Sequence, residues 1–115
     1  MNNKKKSEIK ILIITQQWWP HGQSEKVGKV YLDAMKKFPD DKSISKPIIS
    51  SAIWTVKDGA VSITVYDIQS GKIKEAMDLA MKRLIMISES IEGFKYEINI
   101  AYDLVEGLPL VGLAA

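Results

Sequence analysis

The chain has 115 residues, 46% of them hydrophobic and 26% charged, a formal net charge of +2 and no cysteine. That length and balance fit one globular domain with a modest core, and the missing thiols exclude disulfides, thiolate metal sites and cysteine nucleophiles. Every basic residue except Arg83 is a lysine, so the bidentate fork that reads bases and phosphates is nearly lacking and no nucleic-acid partner is expected.

Residues 1–7 hold the one basic cluster, Lys4-Lys5-Lys6, and read as a flexible, solvated N-terminus. The apolar run that follows is too short for a secretory signal and lacks its cleavage site, and no segment approaches the ~20 apolar residues of a membrane span. A cytoplasmic protein with no membrane partner is therefore expected. Ile9 to Thr15, IKILIIT, is apolar on both faces and predicts a central strand. Ser24 to Phe38 spaces Val27, Val30, Tyr31, Ala34 and Met35 by threes and fours, which predicts a helix. Ser24 is its expected N-cap and Pro39 its stop.

Ile48 to Val56 and Val61 to Ile68 are β-branched runs joined by KDGA. Asp58-Gly59 predicts a two-residue hairpin turn, which sets Val56 opposite Val61 and Trp54 opposite Ile63. Ile73 to Ile91 predicts a longer helix, whose apolar stripe is widened by Met81, Ile85 and Met86, with Gly93 as a left-handed terminator. Phe94 to Leu104 alternates apolar and polar residues as a half-buried strand does. Residues 105–115 form an apolar C-terminal tail that contains the turn EGLP. Residues 1–115 thus read as a single domain.

The order β-α-β-β-α-β resembles the ferredoxin-like sandwich. The resemblance implies an α+β fold in which a four-stranded antiparallel sheet carries two helices on one face. Within that fold the chain looks most like the dimeric α/β-barrel proteins, in which two such sheets pack face to face, and which include both small-molecule enzymes and ligand sensors. No catalytic motif is shared across that group, so the resemblance assigns no residue.

The hairpin register divides its side chains between two faces. Ala52, Trp54, Val56, Val61, Ile63 and Val65 form a wholly apolar set, expected beneath the helices. Ile49, Ser51, Ile53, Thr64, Tyr66 and Ile68 belong to the mixed set, expected on the open face as the interface of a homodimer or higher homo-oligomer.

Gln16 to Gly28, QQWWPHGQSEKVG, joins two tryptophans, Pro20 and the only histidine. The preferred reading is a strand-to-helix corner with an exposed His21. The alternative is the rim of an apolar pocket built from Trp18, Trp19, His21, Trp54 and Tyr96. Asp67 and Asp103 at strand ends read as turn caps. No phosphate-binding glycine loop and no metal-ligand spacing is present, so neither cofactor nor metal is expected. Three functions stay open: a non-catalytic small-ligand-binding or interaction protein acting as a homo-oligomer, a cofactor-free monooxygenase- or isomerase-like enzyme on a small apolar substrate, and a structural oligomer subunit.

Overall fold

The computed structural model describes residues 10–113. The basic cluster in residues 1–7, the expected strand start at Ile9 and the last two residues of the tail lie outside the described residues. Strands β1 (Ile11–Pro20), β2 (Ser45–Val56), β3 (Gly59–Ile68) and β4 (Lys95–Tyr102) alternate with helices α1 (Ser24–Lys37) and α2 (Ile73–Ser90). A short helix α3 (Leu104–Gly107) and a 3-10 turn (Leu108–Val111) follow. The sheet order is β2-β3-β1-β4, with every neighbouring pair antiparallel. Both long helices lie on one face. The fold is α+β and ferredoxin-like, as the order of elements predicts.

β1 runs further than its isoleucines suggest. Gln16 to Pro20 pair with Ile63 to Gly59 of β3, so the tryptophan stretch is strand and the corner begins only at His21. The signal is hidden because each face of this segment carries one glutamine and one tryptophan, which erases the period-two contrast. Gly22, with φ +88°, makes the turn. Ser24 opens α1, but Gln23 is the cap residue and provides no side-chain cap. The Ser24 hydroxyl instead accepts a hydrogen bond from Trp19 Nε1 at 2.8 Å.

The hairpin turn consists of Lys57 and Asp58, one step earlier than predicted, so Val56 faces Gly59 and Trp54 faces Val61. Gly59 serves a different need from the expected turn residue. A Cβ there would lie 2.0 Å from the Trp19 carbonyl oxygen, so only glycine lets β3 start this close to the end of β1. The slip is even-numbered and leaves the grouping by face intact from Ala52 to Val56 and along β3, but the irregularity between Ile49 and Ala52 moves Ile49 to the other face.

The faces themselves are the reverse of the expectation. Thr15, Gln17, Ser62 and Tyr66 are all buried under the helices, and Thr64 shares their face through its pairing with Thr15. The apolar set is on the open side, where Trp54 is 44% exposed. Of the residues expected at an interface, Ser51, Ile53, Thr64, Tyr66 and Ile68 therefore face the helices, and Ile49 alone, paired with Val65, faces outward. Ranking faces by apolarity fails here because hydroxyls can be buried when they bond to one another, whereas an outward apolar face needs only some later cover. β4 keeps its predicted orientation, with Phe94 and Ile98 against the core.

Two apolar clusters anchor the helix-covered face. At one end Trp19, Val27, Ala34, Ile87 and Ile91 pack around Ala60. At the other Ile13, Tyr66, Ile68 and Ala76 pack together. Each large apolar side chain buried in this way contributes roughly 1.5–3 kcal/mol. The polar rows Thr15–Thr64 and Gln17–Ser62 separate the clusters. β2 is an edge strand that contains Pro47 and has two irregularities in its pairing, between Pro47 and Ile49 and between Ile49 and Ala52.

Candidate functional site

Between the two clusters, under α1 and α2, lies a cavity of about 340 Å³. α1 leans on α2 more than on the sheet, which leaves the space above β1 and β3 unfilled. The exposed members of the lining, Ser50, Ser51 and Ile53 on β2 with Ser24 and Gly28 on α1, mark a mouth between β2 and α1. The roof is apolar, supplied by Val27, Tyr31 and Met35 of α1 and by Leu79, Ala80 and Leu84 of α2.

The floor is polar because β1 and β3 present alternate residues inward. The Ser62 hydroxyl donates to Gln17 Oε1. Gln17 Nε2 donates to Thr15 Oγ1 at 2.6 Å, and the Thr15 and Thr64 hydroxyls bond to each other. Four side chains thus form one continuous chain across two strands. Thr15, Gln17 and Ser62 are 5%, 7% and 4% exposed.

At the second cluster the lining reaches Tyr66 and Arg83. The Tyr66 hydroxyl donates to Asp40 Oδ1 at 3.0 Å, and Arg83 Nη2 donates to the same oxygen at 2.9 Å. Arg83 Nε donates to the Phe38 carbonyl at 2.7 Å. These bonds tie the loop after α1 to α2. Burial pushes the Tyr66 phenol up to about 12, and its hydrogen bond to the Asp40 carboxylate adds to the effect. At the first cluster Trp19 stacks on Phe94, with centroids 6.2 Å apart and planes 13° apart.

Of the rim residues read from the sequence, Trp19 lines the cavity. Trp18 and Trp54 do not: they flank Val61 in one row of the open face, and Val61 is only 3% exposed between them. Trp54, expected deep in the core, is therefore outside it. Tyr96 sits opposite Gln17 and beside Phe94, next to the cavity but outside its lining. His21 is exposed, and its Nε2 donates to the Lys57 carbonyl at 2.9 Å, joining the corner to the hairpin. The sequence reading missed Thr15, Gln17, Ser62 and Arg83 as site residues, and it named Thr64 only for the open face. Their signal was present: hydroxyl and amide residues at alternate positions, Thr15 with Gln17 and Ser62 with Thr64, on two central strands.

Among the described residues no group of histidine, cysteine, aspartate or glutamate is placed to hold a metal ion. No described helix is long and apolar enough to cross a membrane.

No family model matches the sequence, and no curated protein matches it. Solved structures match in fold. A conserved protein from Methanosarcina mazei Go1 is 10% identical with a TM-score of 0.55, covering 87% of this chain and 98% of that one. A Caulobacter crescentus CB15 protein, whose name assigns it provisionally to antibiotic biosynthesis monooxygenases, is 10% identical with a TM-score of 0.54, covering 90% and 99%. A dimeric ferredoxin-like protein from an uncultured marine organism is 12% identical with a TM-score of 0.51, covering 84% and 97%. At these identities the likeness establishes a shared ferredoxin-like fold.

Proposed function

We propose that the protein is a homodimeric small-ligand-binding protein that holds a compact, largely apolar, uncharged molecule in the cavity of each subunit. The observation that carries this reading is the cavity's composition: an apolar roof over a floor of mutually bonded hydroxyl and amide groups. Sites of this kind bind apolar bodies and orient them through a few polar groups. Among the described lining residues only Tyr31, Tyr66 and Arg83 can ionise. Tyr66 keeps its proton up to about pH 12, and Arg83 is a permanent cation already bonded to Asp40. General acid–base catalysis works best with a group that titrates near the working pH, so the lining favours binding over turnover.

The dimer reading is supported by the open sheet face, where Trp18, Trp54, Ile63 and Val65 stand without cover from the chain's own helices. The marine protein named as dimeric has the same fold. The cavity reading is tested at Gly28. A Cβ at Gly28 would meet nothing within 4 Å, and the residue lines the mouth. Gly28→Leu should therefore fold, gain helix propensity of roughly 1 kcal/mol, and obstruct the mouth. Native mass spectrometry of freshly purified protein should show a retained small molecule in the wild type and none in the variant. Equal retention in both would remove the cavity as the binding site.

A second reading, a cofactor-free enzyme, is favoured by the fold shared with the Caulobacter protein. In that reading Tyr66, whose one hydroxyl hydrogen is given to Asp40, offers the substrate its hydroxyl oxygen as an acceptor. It requires conversion of the retained molecule by wild-type protein and its loss in Tyr66→Phe.

A further inference from the structure

Ser62, Gln17, Thr15 and Thr64 lie in two adjacent rows of the sheet, and all four line the cavity. Their hydrogens can be counted. The three hydroxyls carry one each and the Gln17 amide carries two, which makes five. The chain has three bonds: Ser62 to Gln17, Gln17 to Thr15, and Thr15 with Thr64. Each bond uses one hydrogen, so two are left over. Among the described residues no other side-chain or backbone acceptor bonds any of the four.

The count does not depend on orientation. If the Gln17 amide is turned over, it donates to Ser62 and accepts from Thr15, Thr64 donates to Thr15, and two hydrogens again remain. Thr15 and Thr64 can exchange donor and acceptor roles without altering the sum. The oxygens keep spare lone pairs as well, but every one already takes part in a bond, and an unmet hydrogen costs more than an unmet second lone pair, so the floor favours an acceptor. Thr15, Gln17 and Ser62 are almost wholly withdrawn from bulk water, and Thr64 is half-buried. A buried donor without an acceptor is costly, and a ligand that supplies the acceptor is favoured by that amount.

We infer that the cavity selects small apolar molecules bearing a carbonyl-type oxygen, held by the two free donor hydrogens of the Ser62–Gln17–Thr15–Thr64 chain. The inference rests on the ligand-binding reading and adds the chemical class to it. An apolar body fits the roof of Val27, Leu79 and Leu84, and the oxygen points at the floor. A molecule offering only a donor can reach spare lone pairs there but leaves both hydrogens unmet, and is bound less well than an acceptor. Carboxylates are not the preferred class, because Arg83, the one cation of the lining, is bonded to Asp40.

The test uses three tricyclic probes of nearly equal shape: fluorenone with an acceptor only, carbazole with a donor only, and fluorene with neither. Acetophenone and ethylbenzene form a smaller pair. Binding is measured by tryptophan fluorescence titration, and the carbonyl stretch of bound fluorenone by infrared difference spectroscopy. The expectation is about tenfold tighter binding of fluorenone than of fluorene or carbazole, from two hydrogen bonds of ordinary net strength. The carbonyl stretch moves to lower wavenumber on binding. Gln17→Glu keeps the shape but exchanges amide hydrogens for an acceptor, leaving at most one free hydrogen, and brings the preference below about threefold. If that variant does not fold, the uncharged double variant Gln17→Met with Ser62→Ala, which leaves one free hydrogen, should lower the preference in the same direction. Equal binding of fluorene and fluorenone, tighter binding of carbazole, or a preference unchanged in the folded variants would overturn the carbonyl inference and leave the cavity reading standing. Binding of none of the five probes would overturn both.

Discussion

Tyr66 shows how a single side chain can serve packing and bonding together. Its ring closes the second cluster and its hydroxyl bonds Asp40. The unfolded phenol ionises near 10.0 and the folded one near 12. Below pH 10 both states are protonated and the difference contributes nothing. Between pH 10 and 12 the unfolded state loses its proton first, so unfolding releases a proton and stability falls as pH rises. Urea denaturation from pH 9 to 11.5 should show this alkaline loss in the wild type, and Tyr66→Phe should flatten it. An unchanged slope in the variant would mean the phenol is not held protonated by the fold. Gly59 sets a steric limit of a different kind. With Trp19 O at 2.0 Å from any Cβ, Gly59→Ala must part β1 from β3 at their tightest point. A loss of more than ~2 kcal/mol in chemical denaturation is expected.

At the scale of elements, α1 rests on α2 and carries a glycine at an exposed position, which lowers its helix propensity. Gly28→Ala should stabilise the protein by about 0.5–1 kcal/mol, read as a raised denaturation midpoint. A destabilised variant would show that the helix needs close approach at that position. The two helices and β4 were legible in the sequence. Val27, Val30, Ala34 and the Ala76, Leu84, Ile87 series have an unambiguous 3.6-residue period, and Lys95, Glu97 and Asn99 alternate with apolar residues. β1 beyond Thr15 was not legible, because Gln16-Gln17-Trp18-Trp19 looks alike on both faces. The orientation of the hairpin was not legible either. Parity separated its two faces correctly except at Ile49, which the β2 irregularity shifts across, but parity alone does not say which face meets the helices. Apolarity alone points to the other face as the core. The Ser62 and Thr64 face took that place because Thr15 and Gln17 on the neighbouring strand bond its hydroxyls. The candidate site escaped for the same reason: its key residues only acquire meaning once β1 and β3 are side by side. The aromatic cluster drew attention toward Trp18, Trp54 and His21, which lie outside the cavity.

The whole molecule is broad and thin. Its extents are 51 × 31 × 18 Å and its radius of gyration is 16.1 Å, against roughly 13 Å for a compact domain of this length. A two-layer sandwich with one apolar face left open has this shape, and a second copy laid on that face would restore compactness. The wild type should sediment at twice the chain mass. Ile63→Glu, at the middle row of the open face opposite Ala52 and Gln16, should yield a folded monomer, since an isologous contact brings the two charges near each other. A wild-type monomer at micromolar concentration would end the dimer reading. One further trait bears on how such a pair behaves in a crowded solution. Pro47 and the two pairing irregularities fall on β2, the outermost strand beside β3. A foreign strand arriving there finds a missing amide hydrogen and a backbone that twists away, so it cannot zip on. Along that margin the sheet resists ribbon-like polymerisation, and association is steered toward a union that is complete after one step.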